Sequence, residues 1–232
     1  MPTLTILPVE GLPEMAPGDE LAVLIAEHAS LRDGDVVVVT QKVVSKVEDR
    51  LVPVDPNDPG AKAALVEREA VRILRRRDEL TITETRHGFV CANAGVDLSN
   101  VPAGTAALLP VDPDRSARRV RDGLRVHAGV EVGVIVSDTF GRPWRNGVTD
   151  VAIGCAGVAA IIDLRGTHDA AGRELQVTEV AVADEIAGAA ELVMGKSRGV
   201  PVAVVRGVDR AWLREGSVRV ELVRAPGNDL FR

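Results

Sequence analysis

The sequence predicts a single mixed α+β fold, and three observations carry that expectation. Apolar stretches with helical spacing and β-branched runs follow one another without the regular alternation of repeated βαβ units. No Ser/Gly-rich linker or compositional break divides the 232 residues, a length that one large domain can fill. A hydrophobic fraction of 46% beside 27% charged residues supports a sizeable core and excludes a disordered or fibrous chain. Residues 1–232 are therefore expected to form one domain.

Leu21, Leu24 and Ile25 recur at helical spacing after Pro17-Gly18-Asp19, and Arg32-Asp33-Gly34-Asp35 separates that helix from the strand Val36-Val37-Val38-Val39-Thr40. A second helix is expected over residues 62–77. Its apolar face is Leu65, Val66, Ala70, Ile73 and Leu74, and Arg72, Arg75, Arg76 and Arg77 crowd the negative end of its dipole. Short strands follow at 80–83 and 106–109. A third helix runs from near Asp114 to about His127 and feeds a strand, 132–136, that ends in Ser137-Asp138-Thr139. Residues 147–166 are rich in Gly and Ala, which permits close backbone approach. Val182, Ile186, Ala189 and Val193 mark a further helix, followed by a strand at 202–205 and a last strand near 218–223. Helix then apolar strand, ending in Thr40 or Thr139, is a weak echo and not a repeat.

Lys+Arg 28 against Asp+Glu 34 gives a net charge of −6, which disfavours nucleic acid and anionic membrane surfaces as partners. Any bound anion must be held by a local basic patch. No apolar run approaches membrane-spanning length and the first residues do not read as a leader, so a cytoplasmic location is expected. Cys91 and Cys155, without metal-ligand spacing, read as small core residues. With no Tyr, three Phe and two Trp, stacking platforms for bases are not expected.

Several polar stretches interrupt the apolar pattern. Gly195-Lys196-Ser197 fits a relaxed phosphate-loop motif, but a helix precedes it and a strand follows, the reverse of that architecture. Ser137-Asp138-Thr139 places a carboxylate and a hydroxyl at the end of a buried strand, where open sheets present ligand-binding groups. Such oxygens suit a hard divalent cation, and Arg142 and Arg145 could pair with phosphate or carboxylate oxygens. The alternative is that Asp138 caps a turn and pairs with Arg142. Asp97 could be a second metal carboxylate and Asn100 a neutral ligand contact, or the two could form an ordinary Asx turn. His87 reads as structural. Gln41-Lys42-Val43-Val44-Ser45-Lys46 could reach the same ligand, or its lysines could keep an edge strand soluble. From residues alone, a metal-dependent phosphohydrolase and a nucleotide-binding module both fit these features.

Taken together, LPVEGLPEM, GDVVVVTQKVVSKVE, TRHGFVCANAGVDLSN, VIVSDTFGRPWRNGVTDVAIG, DLRGTHDAAGRELQVTEVAVADEIAGAAELVMGK and PGNDLF occur in this order over nearly the whole chain. In this the chain resembles the coenzyme F-420-0:L-glutamate ligases, or F-420 γ-glutamyl ligases. The resemblance implies GTP-dependent addition of L-glutamate to the lactyl carboxylate of a deazaflavin precursor, F-420-0, often repeated. It implies Mg²⁺ or Mn²⁺, a potassium ion in addition, and an intertwined homodimer of α+β subunits. Carried over by position, Leu12, Pro13, Glu14, Met15, Gln41, Lys46 and Asn100 line the guanine nucleotide site, joined by the turn holding Met194, Gly195, Lys196 and Ser197. Asp97, Asp138 and Thr139 look like the metal ligands. Arg142 and Arg145 are candidate catalytic residues that could orient substrate oxygens, an expectation that comes only from their placement beside Asp138 and not from the resemblance. Some relatives carry Gln where this chain has Lys196, and some append a nitroreductase-like domain, which is not expected here.

Overall fold

Val36, Val37, Val38 and Val39 have no exposed surface, and a continuous apolar run of this kind is stable only where both faces of a sheet are covered. The computed structural model describes residues 3–230. In chain order its elements are β1 (Thr5–Pro8), α1 (Leu21–His28), β2 (Val36–Thr40), α2 (Gln41–Val47), β3 (Leu51–Pro53), α3 (Ala61–Glu69), β4 (Ala70–Arg77), β5 (Leu80–Thr85), β6 (Val90–Ala92) and β7 (Thr105–Ala107). There follow α4 (Pro113–Ala128), β8 (Gly133–Arg142), β9 (Arg145–Ala156), β10 (Ile162–Asp163), β11 (Glu179–Val180), α5 (Val182–Met194) and β12 (Val202–Arg206).

The main sheet has the order β1-β12-β2-β8-β9. β2 and β8 are its parallel pair, registered from Val36 opposite Gly133 to Thr40 opposite Ser137, and the remaining pairings are antiparallel. This mixture makes the chain a single α+β domain. The parallel pair stops together at Thr40 and Ser137. There β2 turns into α2, whereas β8 continues with β9 as its sole partner.

α4 begins with Asp112 accepting from the Arg115 amide at 3.0 Å and with Pro113 in the first turn, and it ends at Gly129 in the left-handed region. A Cβ on Gly154 would lie 2.3 Å from the Pro113 carbonyl, so α4 can rest on β9 only because that residue has none. α1 packs on α4, while α5 packs against β9 and β12.

A smaller region carries the antiparallel sheet β4-β5-β6 and the pair β3-β7 around its own core of Leu65, Val66, Ala94, Val96, Ala106 and Leu108. α2 ties the two regions together: Gln41 Nε2 and Ser45 Oγ both donate to the Leu108 carbonyl, at 3.0 and 2.6 Å.

Four expectations are corrected. The helix expected over 62–77 stops at Glu69, and Ala70–Arg77 is a strand. Pairing with β5 and the ion pairs of Arg72 with Glu84 and Arg76 with Glu67 recruit these arginines to a strand. The segment after Thr40 is the helix α2 and not an edge strand. β8 does not end at Thr139 but runs on to Arg142. Residues 218–223 form no strand: Val218–Leu222 is a π-helical turn. It is organised by the buried carboxylate of Asp114, which accepts from Val218 N, Ser217 Oγ and Arg219 N as well as from Cys155 N of β9.

The two cysteines are buried and unbridged, with both thiols pushed up to about 12, chiefly by burial. Among the described residues no helix is long and apolar enough to cross a membrane.

Candidate active site

Ligands of open sheets settle where parallel strands end side by side. In this chain that point is Thr40 and Ser137, and a cleft of about 660 Å³ opens there. Its floor is Ser137, Asp138 and Thr139 of β8 with Asp150 of β9. One wall is the segment Leu12, Pro13, Glu14 and Met15, together with Gln41, Lys42 and Lys46 of α2. The far side is closed by Asn100, Val101 and Pro102 of the smaller region and by Glu191, Met194, Gly195, Lys196 and Ser197 at the end of α5.

The floor is a hydroxyl–carboxylate array. Asp150 lies directly across the ladder from Thr139 and is almost wholly buried. One of its oxygens accepts from Ser137 Oγ at 2.9 Å and the other from Thr139 Oγ1 at 2.5 Å. With its proton committed to Asp150, the Thr139 hydroxyl can offer only lone pairs to the cleft. Asp138 accepts from the Thr139 amide at 2.8 Å. Its carboxyl is pushed up to about 7 by burial above all, with Asp150 and Asp97 adding to the shift and Lys196 opposing it. A position that raises the cost of negative charge in this way favours a cation beside it.

Cations guard the rim. Lys42 Nζ pairs with Asp97 Oδ2 at 2.9 Å and donates to Ser99 Oγ at 2.6 Å. Burial opposes ionisation of Asp97, but the Ser99 amide and hydroxyl and Lys42 together hold its carboxyl below the usual range. Lys46, whose side chain is nearly buried, reaches Glu14 at the surface. Asn100 Nδ2 donates to the Lys196 carbonyl at 3.4 Å, bridging the smaller region to the turn after α5.

The donor set fits a hard divalent cation: carboxylate and hydroxyl oxygens, with no thiolate or imidazole. Among the described residues no three His, Cys, Asp or Glu side chains already form a cage. The fit is therefore to an ion that takes one or two protein carboxylates and completes its shell with phosphate oxygens and water.

Every candidate nucleotide contact, from Leu12, Pro13, Glu14 and Met15 through Gln41, Lys46 and Asn100 to Met194, Gly195, Lys196 and Ser197, borders this one cleft, as do Asp138 and Thr139. Asp97 stands at the rim, tied to the cleft through Lys42, and its Oδ1 also closes an Asx turn with the Ser99 amide at 2.7 Å. Arg142 and Arg145 are not brought in. They lie at the exposed end of the β8–β9 hairpin, about 10 Å along the strand from Thr139, and Arg142 donates to the Asn146 carbonyl instead of to Asp138. His87 is structural: its Nε2 is 2.9 Å from the Pro110 carbonyl and its ring stacks on Phe89.

Sequence reasoning missed Asp150 and Glu191. Asp150 is the lone acid in the run Val148-Thr149-Asp150-Val151-Ala152, and Glu191 follows the buried Ala187 by one turn in the otherwise apolar second half of α5. A carboxylate in such company is the signal that could have found both.

Comparison with known proteins agrees with this geometry. Residues 11–207 match the family model described as F420-0:Gamma-glutamyl ligase. The Coenzyme F420:L-glutamate ligase of Methanopyrus kandleri is 47% identical, over 100% of this chain and 99% of that protein. Those of Methanothermobacter thermautotrophicus and Haloarcula marismortui are 41% and 42% identical, each over 99% of this chain and over 99% and 96% of the relatives. Because the match is to a ligase model over most of the length, and to full-length ligases beyond it, the chain belongs to the F420-0:gamma-glutamyl ligase family of enzymes.

Proposed function

We propose that this protein joins L-glutamate to the lactyl carboxylate of coenzyme F-420-0 at the expense of GTP, through an acyl phosphate, and releases GDP and phosphate. The observation that carries the reading is the convergence of residues from six separate stretches on one cleft. Apolar and polar groups line one side of it, and an acidic, hydroxyl-bearing floor lies below. A carboxylate does not acylate an amine at neutral pH, so activation by phosphoryl transfer is what such a floor would serve.

In this reading Leu12, Pro13, Met15, Gln41 and Asn100 hold the guanine nucleotide, with Met194, Gly195, Lys196 and Ser197 along its phosphates. Lys46 exchanges Glu14 for a phosphate oxygen, a charge-assisted bond of greater strength. Asp97, Asp138 and Thr139 would hold Mg²⁺ or Mn²⁺, with K⁺ as an additional ion. When bound, such a cation offsets charge developing on the transferred phosphoryl group. Asp150 keeps the Thr139 lone pairs facing that position. Arg142 and Arg145 lie outside the cleft, and in this reading their guanidinium groups would meet an anionic substrate only where it extends beyond the cleft onto the exposed hairpin. Their replacement by Met should raise KM for that substrate and spare nucleotide binding, and unchanged constants would remove them from the reading. The working assembly is a cytoplasmic homodimer, a state supported by the exposure of Val71 on β4 and of Trp144 and Val148 on the hairpin.

Incubation with GTP, Mg²⁺, F-420-0 and L-glutamate tests the proposal. The expected result is glutamate-dependent GDP formation and a product heavier by one glutamyl unit in mass spectrometry. Phosphate release that ignores glutamate would overturn it in favour of a hydrolase.

A further inference from the structure

The site described so far leaves the incoming amine without a base. Four carboxylates line the cleft among the described residues. Glu14 is paired with Lys46, Asp138 accepts the Thr139 amide, and Asp150 accepts two hydroxyls. Glu191 alone receives no hydrogen bond or ion pair on its carboxylate from the described residues.

Its surroundings suit a group that receives a proton. Glu191 projects from the last turn of α5 and is half-buried. Asp150 of β9 faces it as a repelling charge, and Lys196 and Arg198, from the turn after the helix, face it as attracting ones. Burial, reinforced by Asp150, holds its carboxyl above the usual range. A base poised nearer neutrality is the more effective one at physiological pH.

We propose that Glu191 is the catalytic base of amide formation: it binds the ammonium group of the incoming amino acid and takes the proton whose loss frees the nitrogen lone pair. The proposal rests on the ligase reading above. One N–H proton passes to the Glu191 carboxylate, and the lone pair then forms the C–N bond at the acyl phosphate carbon. Collapse of the tetrahedral adduct breaks the C–O bond to phosphorus's oxygen, and that oxygen leaves with the bonding pair. The second nitrogen proton goes to the departing phosphate, and Glu191 returns its proton to solvent. The preceding phosphoryl transfer does not need Glu191, which separates the two half-reactions experimentally.

The test is Glu191→Gln in the full chain, assayed with GTP, Mg²⁺ and F-420-0 and with either L-glutamate or hydroxylamine as acceptor. Hydroxylamine is unprotonated at neutral pH and traps an acyl phosphate as a hydroxamate without help from a base. Amide formation should fall about 100-fold at neutral pH, whereas hydroxamate formation should fall by less than about 3-fold. The amide defect should shrink at alkaline pH, where free amine is already present, and Glu191→Asp should recover part of the loss. Equal losses with both acceptors would assign Glu191 to nucleotide or cation handling and overturn the proposal, as would an unchanged amide rate. If the unsubstituted protein forms neither hydroxamate nor GDP, the ligase reading itself fails and takes this one with it.

Discussion

The two regions that meet at the cleft are built on different scales. The main sheet buries Val36, Val37, Val38 and Val39 beside Val134, Ile135 and Val136 with no exposed surface. The smaller region has a core cluster of six buried apolar residues and a strand, β4, on which most side chains are exposed. Residues positioned by the first, Asp138, Thr139 and Asp150, are cross-linked by hydrogen bonds of 2.5–2.9 Å. Those supplied by the second, Asp97 and Asn100, reach the cleft through Lys42 and through a single 3.4 Å bond to the Lys196 carbonyl. Thick packing thus holds the floor in one geometry, while the thinner region can adjust as a wall.

The largest effect should come from the floor. Asp138→Asn removes a carboxylate without changing its size, and turnover is expected to fall roughly 10³-fold, the scale of several kcal/mol of lost electrostatic stabilisation. Titration with Mn²⁺ should show weakened binding by the same variant. Unaltered activity at limiting metal would break the assignment of the floor.

Core substitutions measure the asymmetry directly. Ile135→Ala opens a cavity in the main core and should lower unfolding free energy by about 3–5 kcal/mol, with hydrogen exchange accelerated throughout the chain. Leu108→Ala, in the smaller core, should cost about 2–3 kcal/mol and accelerate exchange chiefly in β3 and β7. Identical exchange patterns for the two variants would mean that the regions unfold as one unit and that the contrast is only geometric.

A gentler change probes the joint. Ser45→Ala removes one of two donors from the Leu108 carbonyl and leaves the Gln41 bond of 3.0 Å in place. A loss of about 1 kcal/mol is expected by chemical denaturation. An additional rise in nucleotide KM would show that α2 transmits the position of the wall to the cleft.

The same asymmetry decided what could be read from the chain. Continuous valines announce a doubly covered strand, and the helices over Leu21–His28, Pro113–Ala128 and Val182–Met194 carry helical spacing, so the main region was legible. The echo of helix and strand ending in Thr40 and Thr139 belongs to β2 and β8, which turn out to be parallel neighbours. In the smaller region local pattern misled. Ile73 and Leu74 continue the helical spacing of Leu65 and Val66, yet pairing with β5 makes Ala70–Arg77 a strand. The segment at Val218 depends on Asp114, a hundred residues earlier, and no local signal encodes that contact. The site followed the same rule. Motif-bearing residues on the floor and rim were named in advance, whereas Asp150 needed the β8–β9 register, and Arg142 and Arg145 were drawn too near because the strand was expected to stop.

The smallest expected effect distinguishes the regions by the sign of a pH dependence. On the floor, the folded protein holds a proton on Asp138 up to about pH 7, one that the unfolded chain releases near its ordinary value of 3.8. Stability from this group is therefore greatest in acid and is lost as pH rises through about 7. His87, which follows β5, has the opposite sign. Burial lowers its affinity for a proton below that of an ordinary histidine, 6.5, so the unfolded chain binds protons more readily there. Its contribution is present at higher pH and declines as pH falls through 6.5 toward the lower folded value. Melting temperatures of the metal-free protein, measured from about pH 5 to about pH 8, should show Asp138→Asn gaining on the parent as pH rises. His87→Gln should lose ground over the same interval, with changes of a few degrees in each case. If both variants ran parallel to the parent, neither group would be perturbed by its surroundings, and the floor would lose its claim to be a site prepared for positive charge.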